Sequence, residues 1–165
     1  MNAPILSEGE LAGALARERA AGKRIAFANG VFDLLHVGHV RYLQAAAQEA
    51  DVLVVAVNSD ASVHAIKGPD RPIVPEGERA ELVAAIRGVG YVTLFSDPNP
   101  RRLLLALKPD VQCKGTDYTA DSVPERDVVE SYGGRVAIVG DPKDHSSTDT
   151  IERMRTVTPP PPIDD

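Results

Sequence analysis

The stretch "RIAFANGVFDLLHVGHVRYLQAAAQEADVLVVAVNSD", residues 24–60, decides the fold. Residues 24–28 are a short apolar run that ends at an Asn-Gly pair, and residues 51–60 are a β-branched run typical of a strand buried on both faces of a parallel sheet. The segment between them, residues 37–50, predicts a helix. Strand, helix and strand in about 35 residues make a βαβ unit, whose crossover is almost always right-handed.

The same alternation continues on both sides of this unit. Ser7 and Glu10 form the pattern of a capping box, which predicts a first helix that ends near Gly22. Further helices are expected at 76–87, 100–107, about 124–132 and 147–155, and further strands at 91–95, 110–114 and 135–139. The pattern predicts an α/β fold: a Rossmann-like, doubly wound, five-stranded parallel sheet with helices on both faces.

Residues 1–155 are expected to form a single domain. The remaining stretch, "TVTPPPPIDD" at residues 156–165, consists largely of proline and acidic residues. Proline cannot continue a helix, and this composition cannot fill a core. We therefore expect a disordered tail.

Composition limits the class of partner. The 165 residues are 43% hydrophobic and 25% charged, which is ordinary for a globular protein. The net charge of -6 argues against a nucleic-acid partner and favours a small molecule held in a local pocket. The sequence has no apolar stretch of the roughly 20 residues that a membrane-spanning helix needs. Its single cysteine, Cys113, fits a reducing compartment as a small buried hydrophobe, so we expect a cytoplasmic protein without a membrane partner.

Polar stretches follow four of the expected strands. Residues 29–39 follow the first strand, 58–67 the second, 114–118 the fourth and 141–148 the fifth. In an open parallel sheet, ligands bind beyond the carboxyl ends of the strands, where the strand order reverses. We expect these four stretches to meet in one site.

His36 and His39 lie one helical turn apart, around Gly38, at the expected start of a helix. Backbone N–H groups and the positive end of the helix dipole attract phosphate there, the imidazoles add donors, and the glycine allows close approach. The pattern favours a phosphate site. Two alternatives stay open at this point: a metal site, although no Cys/His cluster nearby supplies further ligands, or two histidines that only satisfy local backbone groups.

The stretch "FANGVFDLLHVGH" (residues 27–39) resembles the signature of the cytidylyltransferase-like nucleotidyltransferases. "HSSTDTI" (145–151) is similar to the hydroxyl-rich cap of the family's last helix. The resemblance spans about residues 24–155, and both ends of the site stand in the family's order. It implies a nucleotidyltransferase domain over residues 1–155.

Within that superfamily the chain most resembles the adenylyltransferase half of the bacterial bifunctional heptose kinase and adenylyltransferase. The similar segments are "VAVNSDASV", "IKGPDRPIVPEGERAELVAAI" and "KGTDY". The likeness implies transfer of AMP from ATP to D-glycero-β-D-manno-heptose 1-phosphate, giving pyrophosphate and the ADP-heptose used in lipopolysaccharide biosynthesis.

The resemblance also implies roles for individual residues. His36, His39 and Lys67 are expected to be catalytic, the histidines on the triphosphate and the lysine on the acceptor phosphate or the α-phosphate. The acceptor is expected to contact Asn58, Asp60 and Lys67. The nucleotide is expected to contact Asn29, Gly30, Val31, Phe32, Asp33, Gly38, Arg79, Lys114, Gly115, Asp117, Ser146, Ser147 and Thr148.

Several of these residues have simpler interpretations, which stay open at this point. Lys67 fits a solvated loop lysine, and Arg79 fits a surface ion pair with Glu76 or Glu78. Ser147 and Thr148 fit residues that only cap the last helix. The "NSD" stretch at 58–60 fits a turn that ends a strand.

The resemblance further implies Mg²⁺ bridging the nucleotide phosphates, with no protein ligand assigned, and a homodimer. Two other functions remain open. One is a cytidylyltransferase that uses CTP and glycerol 3-phosphate, although the Arg-Thr-x-Gly stretch of such enzymes is replaced here by "DPKDHSS" at 141–147. The other is a nucleotide sensor without turnover. Pyrophosphate release with different nucleotides and acceptors separates the three.

Overall fold

Five strands form one sheet within residues 1–142 and 146–160, which are the residues that the computed structural model describes. The strands are β1 (Ile25–Gly30), β2 (Val52–Asn58), β3 (Tyr91–Phe95), β4 (Val111–Lys114) and β5 (Arg135–Ile138). All neighbouring strands are parallel, and their order is β3-β2-β1-β4-β5. The predicted doubly wound, five-stranded parallel sheet is confirmed.

The helices lie between the strands along the chain. They are α1 (Glu8–Ala20), α2 (Val37–Ala46), α3 (Asp60–Lys67), α4 (Glu76–Ala84), α5 (Arg101–Leu107), α6 (Arg126–Ser131) and α7 (Ser147–Thr156). The predicted capping box begins α1: the Ser7 N–H donates to Glu10 Oε2 at 2.8 Å, and the Glu10 N–H donates to Ser7 Oγ at 3.3 Å. The sequence analysis missed α3, whose N-cap is Ser59.

The core has two layers because successive residues of a strand point to opposite faces of the sheet. Ala26 and Ala28 of β1 pack in one cluster with residues of α2 and α4. Ile25 and Phe27 pack in the other with residues of α1, α5 and α6. Helices therefore cover both faces, as predicted, and burial of each large side chain stabilises the fold by about 1.5–3 kcal/mol.

The strand order reverses at β1, which lies between β2 and β4. β1 pairs with β2 along its whole length, from Ile25↔Val52 to Gly30↔Val57. It pairs with β4 only at Ala26↔Val111 and Phe27↔Gln112. The last residues of β1 therefore separate from β4, and the sheet opens at the point where a ligand site is expected.

The chain ends beyond α7, whose last residue is Thr156. Residues 157–160 form neither helix nor strand, and residues 161–165 lie outside the described residues. A single domain over 1–155 followed by a tail stays a prediction. The described residues include no helix with the length and apolar character that crossing a membrane requires.

Candidate active site

A cleft of about 470 Å³ opens at the carboxyl ends of β1, β2, β4 and β5. Its walls come from the segments after β1, from the start of α2, from the 114–118 and 139–142 segments and from residues 146–148. The four polar stretches singled out in the sequence therefore meet at one edge of the sheet.

Most of the residues predicted for the site line this cleft. They are Asn29, Gly30, Val31, Phe32, Asp33, His36, Gly38, His39, Asn58, Lys67, Lys114, Gly115, Asp117, Ser146, Ser147 and Thr148. Two predicted residues, Asp60 and Arg79, are not among the lining residues. Both bind other groups of the protein, as described below.

The chain turns sharply after β1 and places an aromatic ring beneath the histidines. Phe32 has a φ of 53°, in the left-handed region, and is 3% exposed. Its ring edge meets the His39 ring, with centroids 5.5 Å apart. A Cβ at Gly30 would lie 3.1 Å from the Phe32 ring, a tight contact, so the ring packs directly against the backbone of this glycine.

His36 and His39 form a stacked pair at the start of α2. Their ring centroids are 3.9 Å apart with 19° between the planes. His36 is the N-cap, and its backbone N–H donates to Nδ1 of His39 at 3.3 Å. Because Nδ1 of His39 accepts this bond, a neutral His39 ring carries its proton on Nε2 and offers a donor there. The pair thus adds imidazole donors to the backbone donors of a helix N-terminus.

Asp33 connects the turn after β1 to the segment before α4. Its buried carboxylate accepts hydrogen bonds from the Ile73 and Val74 N–H groups and from Arg71 Nε, all at 2.8–2.9 Å. Burial raises the pKa of Asp33, but these three donors outweigh burial and hold the pKa below its ordinary value. The carboxylate is therefore an anion that fixes the cleft wall.

Arg79 lies beneath the cleft and is 0% exposed. Its guanidinium donates to the backbone oxygens of Val74, Val31 and Asn58 at 2.6–2.8 Å. It also pairs with Asp60 Oδ1 at 2.8 Å. The alternative of a surface ion pair with a nearby glutamate is wrong, because the guanidinium is buried and binds backbone carbonyls and Asp60. Direct contact of Arg79 with the nucleotide stays a prediction.

The predicted acceptor ligands at the end of β2 also bind other groups of the protein, although the Asp60 side chain is 45% exposed. Asp60 binds Arg79 through its carboxylate, and its backbone N–H donates to Glu76 Oε2 at 2.6 Å. Asn58 reaches the cleft lining, but its side-chain amide donates to Ser62 Oγ at 3.2 Å. Asp60 therefore helps to hold Arg79 and does not line the cleft.

Lys67 is exposed and lines the cleft as the last residue of α3. The family position suggested a loop, whereas the structure places this lysine at the C-terminus of a helix that begins at Asp60. The end of a helix carries partial negative charge, which favours a cation there. The Lys67 ammonium group is therefore carried by the end of α3, at the edge of the cleft.

The segment after β4 forms a second polar wall. Lys114 Nζ lies 4.8 Å from the centre of the Tyr118 ring, a cation–π contact. A side chain at Gly115 would come within 3.0 Å of Asp117 Oδ1, so the backbone turns closely here. Thr116 Oγ1 donates to the Asp141 backbone oxygen at 2.8 Å, which ties this wall to the segment after β5.

The wall behind this segment is apolar. The Tyr42 hydroxyl donates to the Cys113 backbone oxygen at 2.8 Å, and burial raises the pKa of Tyr42. Burial likewise raises the pKa of Cys113 to about 12, so this thiol stays neutral and packs in the core. The sequence analysis expected this role for Cys113.

The start of α7 closes the cleft. Ser146 is the N-cap and accepts from the Asp149 N–H at 3.0 Å, whereas the sequence analysis assigned capping to Ser147 and Thr148. The Ser147 hydroxyl donates to the backbone oxygen of Asp33, and Thr148 is exposed at the cleft. The first N–H groups of a helix have no partner within the helix, so the start of α7 offers backbone donors at the edge of the cleft.

Some lining residues were not predicted. Arg71, Arg41 and Tyr42 line the cleft, as do Val139 and Gly140, which lie between β5 and the predicted 141–148 stretch. The rule that ligands bind at strand ends could have found residues 139 and 140, but nothing in the local sequence marks Arg71. Among the described residues, no group of three or more His, Cys, Asp or Glu side chains is placed to hold a metal ion.

The family model described as cytidylyltransferase-like matches residues 27–156. The chain belongs to the cytidylyltransferase-like family. It is 51% identical over 144 residues to the bifunctional protein HldE of Geobacter metallireducens, covering 87% of this chain and 29% of that protein. It is 48% identical over 153 residues to the bifunctional protein HldE of Trichlorobacter lovleyi, covering 93% and 30%. The chain thus spans less than a third of the length of these curated relatives.

Solved structures show the same family fold. The crystal structure of a lipopolysaccharide core biosynthesis protein from Thermoplasma volcanium is 30% identical, with a TM-score of 0.61, and the match covers 72% of this chain and 95% of that one. Pantothenate synthetase from Thermus thermophilus shares the fold. It is 19% identical, with a TM-score of 0.59, and the match covers 82% of this chain and 61% of that one.

These comparisons confirm the family predicted from residues 27–39 and 145–151 and the similarity to the HldE proteins. As a cytidylyltransferase-like protein the chain is a nucleotidyltransferase, with a nucleotide as a substrate. The choice of nucleotide and acceptor is a separate question.

Proposed function

We propose that the chain transfers AMP from ATP to D-glycero-β-D-manno-heptose 1-phosphate, giving ADP-heptose and pyrophosphate. The observation that carries this proposal is the stacked pair of His36 and His39 in one cleft with Lys67 and the start of α7. Imidazoles, an ammonium group and two helix N-termini supply many donors for a triphosphate and an acceptor phosphate. The similarity to HldE proteins supports the heptose acceptor.

In the proposed reaction, an oxygen of the acceptor phosphate attacks the α-phosphorus of ATP. A new phosphorus–oxygen bond forms, the bond from the α-phosphorus to the bridging oxygen breaks, and pyrophosphate leaves with that oxygen. The acceptor phosphate is already ionised at neutral pH, so the reaction needs no protein nucleophile and no strong general base. The protein's contribution is alignment and stabilisation of charge.

The proposed roles follow from the positions of the donors. His36 and His39 would donate to the triphosphate as charge develops at the α-phosphate, and the backbone of the turn after β1 would pack against the nucleotide. Lys67 would neutralise the acceptor phosphate or the α-phosphate. The backbone N–H groups at Ser147 and Thr148 would bind the β- and γ-phosphates.

The 114–118 segment would contact the base or ribose of the nucleotide. Lys114, Gly115 and Asp117 lie on the wall opposite the turn after β1. Asn29 lines the cleft, and its buried side-chain oxygen accepts no hydrogen bond from another described residue. A buried acceptor costs free energy when it is left unsatisfied, so a ligand N–H or O–H group that reached this oxygen would be favoured. These contacts would set the choice of base.

Mg²⁺ would enter with the nucleotide, held mainly by phosphate oxygens and water, because this ion keeps much of its hydration and needs few protein carboxylates. Asp117 and Asp141 are carboxylates on the cleft lining that fit a single such contact, whereas Asp33 already accepts three hydrogen bonds. When bound, the ion would supply positive charge to the leaving pyrophosphate.

The family resemblance also leads us to propose a cytoplasmic homodimer. Its partners would be ATP and a sugar 1-phosphate, and neither nucleic acid nor a membrane. The net charge of -6 opposes binding to the phosphate backbone of nucleic acid. Light scattering after size-exclusion chromatography measures the number of chains.

The deciding experiment measures pyrophosphate release with ATP, CTP, GTP and UTP, each against several sugar 1-phosphates and glycerol 3-phosphate. We expect turnover with ATP and heptose 1-phosphate, and a product with the mass of ADP-heptose. Turnover confined to CTP and glycerol 3-phosphate would support the cytidylyltransferase alternative. Nucleotide binding without turnover of any pair would support the sensor.

A further inference from the structure

A second cavity of about 220 Å³, here called the outer cavity, lies between α7 and the 67–73 segment. Lys67, Arg71 and Thr148 line both the outer cavity and the main cleft. The two spaces therefore share a wall that carries two cationic side chains and a hydroxyl. A space of this size suits a small polar molecule.

The rest of the outer cavity combines charged and apolar groups. Asp70, Glu152 and Arg155 line it, and none of the three makes a hydrogen bond or ion pair with another side chain in the described part of the chain. Ile73, which is 52% exposed, and Ile151 also line it. Carboxylates accept hydrogen bonds from hydroxyl groups, and aliphatic side chains pack against C–H groups. A polyol offers both kinds of group.

We propose that the outer cavity binds the sugar part of the phosphorylated acceptor, with the acceptor phosphate at the shared wall beside Lys67 and Arg71. This inference rests on the proposed function and deepens it by assigning acceptor specificity to Asp70 and Glu152. The residue first expected to accept sugar hydroxyls, Asp60, is bound to Arg79 and does not line the main cleft. Asp70 and Glu152 line the outer cavity, and within residues 1–142 and 146–160 neither carboxylate has a partner comparable to Arg79.

The outer cavity carries three cationic side chains, Lys67, Arg71 and Arg155, and two carboxylates, Asp70 and Glu152. Two of the cations lie at the shared wall and suit one phosphate, whereas the carboxylates suit hydroxyl donors. Asp70 and Glu152 would repel the phosphates of a nucleotide, whereas hydroxyl groups would donate to them. The acceptor phosphate at the shared wall would face the main cleft, where the nucleotide would bind. The sugar of the acceptor would remain in the outer cavity. The two substrates would thus meet at Lys67, Arg71 and Thr148.

The test compares Glu152→Gln and Asp70→Asn with the matched control Glu81→Gln, an exposed glutamate on α4. Steady-state kinetics measure KM for the acceptor, KM for ATP and kcat. Each outer-cavity variant is expected to raise the acceptor KM about tenfold and to leave the ATP KM and kcat within about twofold, since tenfold corresponds to one ionic hydrogen bond. The control is expected to match the wild type. Thermal melting checks that all three variants fold.

The outcomes separate this inference from the proposed function. An unchanged acceptor KM in both outer-cavity variants, or a rise in the ATP KM instead, overturns the inference while the proposed reaction stands. If the wild type uses a different sugar phosphate, the assignment of the reaction fails. The same kinetic comparison with that acceptor then tests whether the outer cavity binds its sugar. If no acceptor turns over, calorimetric titration with heptose 1-phosphate tests the inference. Weaker binding to Glu152→Gln than to the wild type supports a sugar site in the outer cavity. Absence of binding to the wild type overturns the inference.

Discussion

At the scale of single residues, the stacking of His36 on His39 places two imidazole rings side by side at the start of α2, with centroids 3.9 Å apart. Both rings line the cleft. Donors that are already in place need no reorganisation when a phosphate gains negative charge in the transition state, so the pair would stabilise that charge.

His39→Ala tests this role. We expect kcat to fall at least about a hundredfold, the scale for losing one transition-state donor, while the melting temperature stays near that of the wild type. His39→Asn, which keeps an N–H donor, is the matched variant and should recover part of the rate. A loss of melting temperature that parallels the loss of activity would contradict the catalytic role and indicate that His39 only packs against Phe32.

Residue positions were predictable where the chemistry is local. Asn29–His39 are adjacent along the chain, and the spacing of His36 and His39 on one helix turn places both rings at the cleft. The burial of Arg79 was not predictable, because its partners include Val31 and Asn58, which are 48 and 21 residues away. Only the folded sheet brings those carbonyls together around the guanidinium.

At the scale of elements, Arg79 connects α4 to the ends of two strands. Its guanidinium binds the carbonyl oxygens of Val31 after β1 and Asn58 at the end of β2, and the carboxylate of Asp60 at the start of α3. Because these contacts fix the backbone under the cleft, Arg79 is a positioning residue. Its contribution to activity would pass through the shape of the cleft.

Arg79→Lys tests this positioning role. Lysine keeps the positive charge but loses the planar fork that serves several acceptors at once, so we expect stability to fall by about 2–4 kcal/mol and the melting temperature by about 5–15 °C. The matched control is Arg87→Lys, at an exposed position, which should change stability by less than about 0.5 kcal/mol. A wild-type melting temperature combined with a raised ATP KM would show direct contact with the nucleotide instead.

The helix that the sequence analysis missed, α3, shows where local patterns are insufficient. "DASVHAIK" follows a strand directly and contains a β-branched valine and polar residues that also favour turns. Serine favours the N-cap position, and in the structure the Ser59 hydroxyl accepts from the Ser62 N–H. The helix itself is stabilised by contacts of Ser62 and Val63 inside the protein, which no eight-residue window reveals.

At the scale of the whole molecule, the cleft joins the two halves of the sheet. One wall comes from the turn after β1 and the start of α2, and the other from the segments after β4 and β5. The strand order reverses between them, and β1 pairs with β4 at only two positions. A nucleotide that contacts both walls would therefore stabilise the fold across its weakest pairing.

Nucleotide binding should consequently raise the melting temperature of the entire chain. A ligand at a hundredfold excess over its Kd stabilises the native state by about 2.7 kcal/mol, which for a chain of this size corresponds to about 5–10 °C. We expect this shift with ATP, and a smaller one with the same concentration of CTP, because the cleft would select the base. Differential scanning fluorimetry with both nucleotides and Mg²⁺ measures the two shifts. A larger shift with CTP would contradict the choice of ATP and favour the cytidylyltransferase reaction, since the ligand that binds the native cleft more tightly must stabilise it more.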